Sequence, residues 1–263
     1  MRNTFLAVTS TAALLAPALA SAQKAPEPDY TFGGNMTVAS EYLYRGIAQT
    51  RGKPALQGGY DFSHKSGLYL GAWGSNISWI SDGVPGASSS LEVDVYGGFK
   101  GSITSDLGFD VGVLTYNYPG SGKPTGNAKP DTIEIYGGLS YQMVSVKYSH
   151  TTGSLFGWTQ PDGSKTSGSG YLDIGASFDL GNGLSIAPHV GHQTVKGLSD
   201  ASYTDYKIGL NKEFPLGTVG VAYSATNAKG DCSKGEPYCF VNANGNGYDA
   251  GKGRLVVTFS KSF

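Results

Sequence analysis

Apart from one stretch near its start, the sequence has no long run of apolar residues, and nothing after residue 22 is long and pure enough to cross a membrane as a helix. A helical membrane protein is excluded. Charge is also scarce: 15% of residues are charged, 19 basic against 20 acidic, for a formal net charge of −1, and the lysines and arginines are scattered. Without a basic block or stripe there is no electrostatic footprint for nucleic acid. Cysteine is limited to Cys232 and Cys239, too few for a disulfide framework. The four histidines offer little chemistry. His189 and His192 have opposite strand parity and cannot share a face as a metal pair, and His150 and His192 are followed two places on by Thr152 and Thr194 rather than by a serine nucleophile. No catalytic residue, cofactor or metal site is expected.

What the chain has instead is 40 glycines and 17 tyrosines, a β-rich composition. A mean hydropathy of −0.19 does not argue against membrane insertion, because in a transmembrane barrel every second residue points inward and is polar. Met1-Arg2, the apolar run from Phe5 to Ala20 and the small-residue site Ala20-Ser21-Ala22 read as a secretory signal peptide over residues 1–22. Residues 23–30 are a short, Pro-rich extended lead-in. Export would bring the two cysteines into an oxidising compartment, so Cys232 and Cys239 are expected to pair.

From residue 31 to residue 263, β-period segments follow one another: 31–44, 54–63, 67–77, 90–101, 107–118, 131–141, 143–152, 170–180, 184–195, 202–213, 217–227 and 252–263. The connections between them alternate, long then short, from residues 45–53 through to the long stretch 228–251. An up-and-down antiparallel transmembrane β-barrel of about twelve strands sorts its loops in this way, with short periplasmic turns at one end and long extracellular loops at the other. Greek-key sandwiches mix loop lengths at both ends. Two near copies, Glu92-Val-Asp-Val-Tyr96-Gly-Gly-Phe99 and Thr132-Ile-Glu-Ile-Tyr136-Gly-Gly-Leu139, make the repeat unit a hairpin.

A period of two assigns the faces. Outward, toward lipid, go Met36, Val38, Tyr42, Tyr44, Leu56, Tyr60, Val93, Val95, Val111, Val113, Ile133, Ile135 and their equivalents, with Phe62, Tyr141, Phe178, Phe214 and Phe263 as an aromatic girdle at the periplasmic rim. Segment 67–77 resists phasing, because Leu68 and Leu70 oppose Tyr69 and Trp73. Inward go Glu41, Arg45, Asp61, Glu92, Asp94, Asp110, Glu134, Lys147, Asp173, Asp205, Lys207 and Arg254, since a charge at the lipid midplane costs about 2 to 4 kcal/mol. These are the candidate pore-lining residues, and the set leans acidic. A passive channel for small hydrophilic solutes or ions follows; a closed structural or adhesive barrel is the alternative, and an outer-membrane lipid-modifying enzyme is the weakest reading. In the last long loop, Asn242-Ala-Asn-Gly-Asn-Gly-Tyr-Asp249 reads as an Asx and Gly turn cluster in preference to a calcium loop.

Two stretches resemble known proteins. The last strand, with Leu255, Val257, Phe259 and Phe263 on one face, resembles the C-terminal strand of bacterial outer-membrane barrels, which implies outer-membrane lipids and the barrel-assembly machinery as partners. Its pairing partner would be the segment beginning at Thr31, closing the barrel. Ser40-Glu-Tyr-Leu-Tyr-Arg45-Gly-Ile-Ala-Gln49-Thr50, continuing through Pro54 to Asp61, together with Gly67-Leu-Tyr-Leu-Gly-Ala-Trp73-Gly-Ser-Asn76, resembles the TorF-type porin family of proteobacteria. That resemblance implies an outer-membrane porin without naming a solute. Arg45 has the parity of Glu41, so it could reach into the pore mouth and pair with an inward carboxylate.

Overall fold

Twelve antiparallel strands close on themselves in the computed structural model, which describes residues 28–84, 86–122 and 128–263. They are β1 (Tyr30–Ala39), β2 (Ala55–His64), β3 (Leu68–Asn76), β4 (Leu91–Ser102), β5 (Leu107–Asn117), β6 (Thr132–Tyr141), β7 (Val144–Thr151), β8 (Gly170–Ala176, continued by Phe178–Gly181), β9 (Leu184–Thr194), β10 (Tyr203–Phe214), β11 (Gly217–Thr226) and β12 (Arg254–Ser262). Each strand pairs with its sequence neighbours, and β12 pairs with β1, so no edge is left. The signal-peptide segment 1–22 and the start of the lead-in lie outside the described residues.

Loop lengths sort by end as the sequence predicts. Short turns such as Asn182-Gly183 and Pro215-Leu216 stand at the end where the chain enters β1, and the long connections stand at the other. Gln142 and Asn182 adopt positive φ (51° and 54°), the backbone that two-residue hairpin turns demand. Strand β8 is interrupted at Ser177, and its register against β9 shifts between Asp179 and Gly181.

The outer surface is an apolar band. Leu56, Tyr60, Val95, Val113, Ile135, Ile208, Leu210, Leu255 and Val257 are all exposed, which suits hydrocarbon and would be untenable over so large a surface in water. Leu68 and Leu70 join this band, while Tyr69 is half-buried on the opposite face with its hydroxyl on Asp110, so segment 67–77 has an ordinary phase after all. The tyrosine of the repeated Tyr-Gly-Gly packs on a glycine of the preceding strand. Tyr96 lies over Gly71 and Tyr136 over Gly112, each on the adjacent strand, where a Cβ would collide with the phenol ring.

Two sequence expectations need correction. Segment 31–44 is not one strand: β1 stops at Ala39, and residues 40–54 form an inward-folded loop carrying a small hairpin, Leu43–Tyr44 against Ile47–Ala48. Consequently Tyr42 and Tyr44 do not face lipid. Once the chain leaves the wall, period two no longer reports facing; Tyr42 is 4% exposed with its hydroxyl donating to Glu92 (2.8 Å), and Tyr44 shares a hydrogen bond with Tyr116 (2.6 Å).

The β1–β12 seam is held beyond the last paired strand residues. Gly34 N donates to the Phe263 carbonyl (2.7 Å) and Phe263 N to the Gly34 carbonyl (2.9 Å), while the Phe263 ring lies directly on Gly34, where a Cβ would come within 2.6 Å of it. Gly34→Val is expected to dislodge that ring and open the seam locally. We expect a lowered urea midpoint for the barrel refolded in lipid vesicles, by an amount equivalent to about 1 to 3 kcal/mol, as for other overpacked sites. An unchanged midpoint would mean that the Phe263 contact contributes nothing to closure.

Candidate functional site

The interior changes character along its length. Toward the short turns the inward residues Asp61, Lys100, Asp110, Lys147, Asp173 and His189 are half-buried, and Lys207 and Glu213 are exposed. Toward the long loops Glu41, Glu92, Asp94, Glu134, Gln193 and Asp205 are all buried. One end of the lumen is therefore open to solvent, and the other is narrowed by loops folded into it.

Tyrosines organise the wet half. Tyr96 donates to Asp61 (2.6 Å) and Tyr69 to Asp110 (2.5 Å), and the hydroxyls of Tyr69 and Tyr136 are hydrogen-bonded. The Lys147 ammonium stands 3.8 Å from the centre of the Tyr136 ring. Higher up, Asp205 accepts from Tyr171 (2.8 Å) and meets His189 Nε2 (2.8 Å), whose Nδ1 faces Asp173 at 3.6 Å. In each case a phenol hydrogen bond to the inward carboxylate offsets part of the cost of taking that group out of water.

The hairpin of the first loop crosses this space. Its two central residues, Arg45 and Gly46, both have positive φ (48° and 77°), as a tight primed turn requires. The turn presses against β10 and β11, and a Cβ on Gly46 would collide with Thr226 and come within 2.8 Å of Asp205 Cβ. From this position Arg45 forms a two-pronged pair with Glu134, Nη1 to Oε1 at 3.1 Å and Nη2 to Oε2 at 2.7 Å, and also donates to Gln193 (2.7 Å). Its guanidinium lies over the rings of Tyr171 (4.2 Å) and Tyr44 (4.8 Å). The two side chains are 6% and 1% exposed. Burial alone would lower the Arg45 pKa, but Glu134 and the adjacent phenols outweigh it, and the group stays charged. Burial pushes the Tyr42 and Tyr44 phenols well up, so both act as neutral hydrogen-bonding groups.

The remaining candidates lie at the outer rim. Arg254 pairs with Glu41 (3.2 Å), and Tyr248 donates to the same carboxylate (2.8 Å), tying the first loop to the last. Glu92 accepts from Tyr42, whereas Asp94 Oδ1 is buried without a hydrogen-bond partner among the described residues. Cys232 and Cys239 are joined by a disulfide in the last loop. Beside it, hydrogen bonds from Ser233 and the nearby Lys234 hold the Asp231 carboxyl down at about 2. A bridge over so short a segment stabilises the folded loop by about 2 to 3 kcal/mol on the chain-entropy account. It fixes the ribbon whose Phe240 packs on Trp79 of the second loop (ring centres 6.4 Å). Asn242 Oδ1 accepts from Asn244 N and Asn246 N (3.1 and 3.0 Å), an Asx turn at the segment weighed against a calcium loop.

Sequence reasoning placed the inward charges by parity but missed their partners. Tyr96 and Tyr136 share the parity of Asp94 and Glu134 and could have been found from the repeat. Tyr116 and Gln193 likewise share the inward parity of Asp110 and His189, whereas the loop residues Trp79, Ile80, Phe156, Tyr238 and Phe240, which pack at the mouth, carry no periodic signal.

The family described as "Bacterial protein of unknown function (Gcw_chp)" matches residues 23–263. No curated protein matches the sequence. Among solved structures, the KdgM porin shares 7% identity with a TM-score of 0.51, covering 88% of this chain and 98% of its own. The NanC porin shares 9% identity with a TM-score of 0.52 over the same shares of each chain. A second KdgM structure, solved in complex with disordered oligogalacturonate, has a TM-score of 0.50 at 8% identity. At these identities the likeness is one of fold: this chain has the twelve-stranded barrel of outer-membrane porins.

Proposed function

The chain belongs to the Gcw_chp family of bacterial proteins of unknown function, and from its porin-like barrel we propose that it is an outer-membrane channel for passive diffusion of small hydrophilic solutes or ions. The observation that carries this reading is the wet half of the lumen, where charged and phenolic side chains line a closed barrel whose outside is apolar. Selection would rest on diameter and lumen charge, without a catalytic step or cofactor. The candidate lining has more carboxylates (Glu41, Asp61, Glu92, Asp94, Asp110, Glu134, Asp173, Asp205) than cations (Arg45, Lys147, Lys207, Arg254), so cations and neutral solutes should pass more readily than anions. Outer-membrane lipid on the apolar band, and the assembly machinery reading Leu255, Val257, Phe259 and Phe263, belong to the same proposal. So does the finer TorF-type assignment, which rests on the motif over residues 40–61.

The packing of the long loops into the outer mouth favours a second reading, a closed barrel presenting its loops for a structural or adhesive role. Planar-bilayer conductance together with liposome swelling, using solutes graded in size and charge, separates the two. The channel reading expects discrete conductance steps with cation preference and faster swelling for smaller neutral solutes. Neither conductance nor permeation for any solute would sink it and leave the closed barrel standing.

A further inference from the structure

A cavity of about 170 Å³ lies among the long loops at the mouth, walled by the first, second, third, fourth and last of them and by inward residues of β9 and β10. A dry engineered cavity of about 150 Å³ holds one six-membered ring, so this space has the volume for a single ring. Its walls are aromatic, with Trp79, Tyr118, Phe156, Trp158, Tyr238 and Phe240 contributing, and among the described residues no charged side chain lines it. Of its two amides, Gln193 is already engaged by Arg45 and by the Gly170 and Thr194 carbonyls, so Gln49 is the one that faces a ligand. The Trp79 indole N–H is buried without an acceptor among the described residues, a donor that a ligand oxygen would satisfy.

The backbone is strained to make this wall. Phe156 is held at φ 46°, ψ 39°, the left-handed region that a bulky residue rarely occupies. Gly157 follows at φ 82°, with the Ala128 carbonyl 2.9 Å from where its Cβ would be. The result is that the Phe156 ring stands at the centre of the aromatic group, 5.1 Å from Tyr116, 5.5 Å from Tyr44 and 6.4 Å from Trp79. Strain of this kind persists where surrounding packing over-determines it, and such positions cluster at ligand clamps.

We propose that this cavity is a binding site for one uncharged pyranose ring. A sugar ring offers what the walls complement, a C–H face for the aromatic rings and hydroxyls for the Gln49 amide and the Trp79 indole. The nearby Arg45 is neutralised by Glu134, so among the described residues an acidic sugar finds no free cation in the lining. The site does not depend on the barrel conducting: binding is read separately from permeation, so either proposal can fail without the other.

The test uses the full barrel refolded in detergent micelles and titrated with methyl glucopyranoside, methyl galactopyranoside, methyl glucuronide and benzyl alcohol. Tryptophan fluorescence and saturation-transfer NMR are the readouts, since two of the three tryptophans line the cavity. Saturable binding of at least one neutral pyranoside, with the glucuronide markedly weaker, is expected. Phe156→Ala should weaken it about two- to tenfold, the loss of one stacked face. Heat-modifiable gel mobility would confirm that the variant barrel is folded. No saturable response to either neutral pyranoside, saturation by benzyl alcohol alone, or equal affinity for the glucuronide would each overturn the proposal on the unmodified protein.

Discussion

Replacing Arg45 with Glu should widen the loop-filled mouth and make it more strongly cation-selective. The wild-type pair is almost wholly buried, with both oxygens of Glu134 engaged by one guanidinium. Removing one partner of such a pair costs about 3 to 5 kcal/mol, because the other charge is left desolvated and uncompensated. Charge reversal adds a second carboxylate where the cation stood, and the hairpin is the mobile party, since Glu134 is fixed in the wall of β6. We therefore expect the hairpin to leave the lumen, single-channel conductance to rise several-fold, cation preference to increase, and the urea midpoint to fall. Arg45→Lys should lie between the two, because an ammonium keeps the charge but cannot bridge both Glu134 oxygens while lying flat on Tyr171 and Tyr44. A double variant, Arg45→Ala with Glu134→Gln, should recover part of the lost stability by removing the stranded charge. Unchanged conductance and selectivity in Arg45→Glu would remove any constriction role for this residue.

The barrel was legible in the sequence because its constraints are periodic. Lipid outside and water inside impose alternation on every strand, and closure imposes an even strand number and a sorted set of loops. Leu56, Val113, Ile135 and Val257 followed that rule and were placed correctly. Tyr42 and Tyr44 did not, because they continue the alternation of β1 for a few residues after the chain has left the wall. Nothing in the residue types marks that departure, and what decides it is Glu92 and Tyr116 waiting inside with hydrogen-bond partners to offer. The loop plug was illegible for a related reason. Trp79, Phe156 and Phe240 come from three separate loops, and their meeting depends on contacts across the mouth that no single segment encodes.

Gly46 offers a way to test the hairpin without touching a charge. Its φ of 77° disfavours any side chain by about 1 to 2 kcal/mol, and a Cβ there would also strike Thr226 on β11 and crowd Asp205 on β10. Gly46→Val, β-branched and unable to relax in a left-handed turn, cannot be accommodated while Arg45 stays on Glu134. The turn must back away from β10 and β11, and because Arg45 is the adjacent residue, its two-pronged contact is lost in the same movement. The expected phenotype is that of the Arg45 variant in conductance, but with weaker change in selectivity, since no charge has been reversed. Combined with Arg45→Ala, the two changes should be strongly non-additive, the second adding little once the first has released the hairpin. Additive increases in conductance would mean that the arginine and the turn restrict the lumen separately, and that the hairpin does not move as one body.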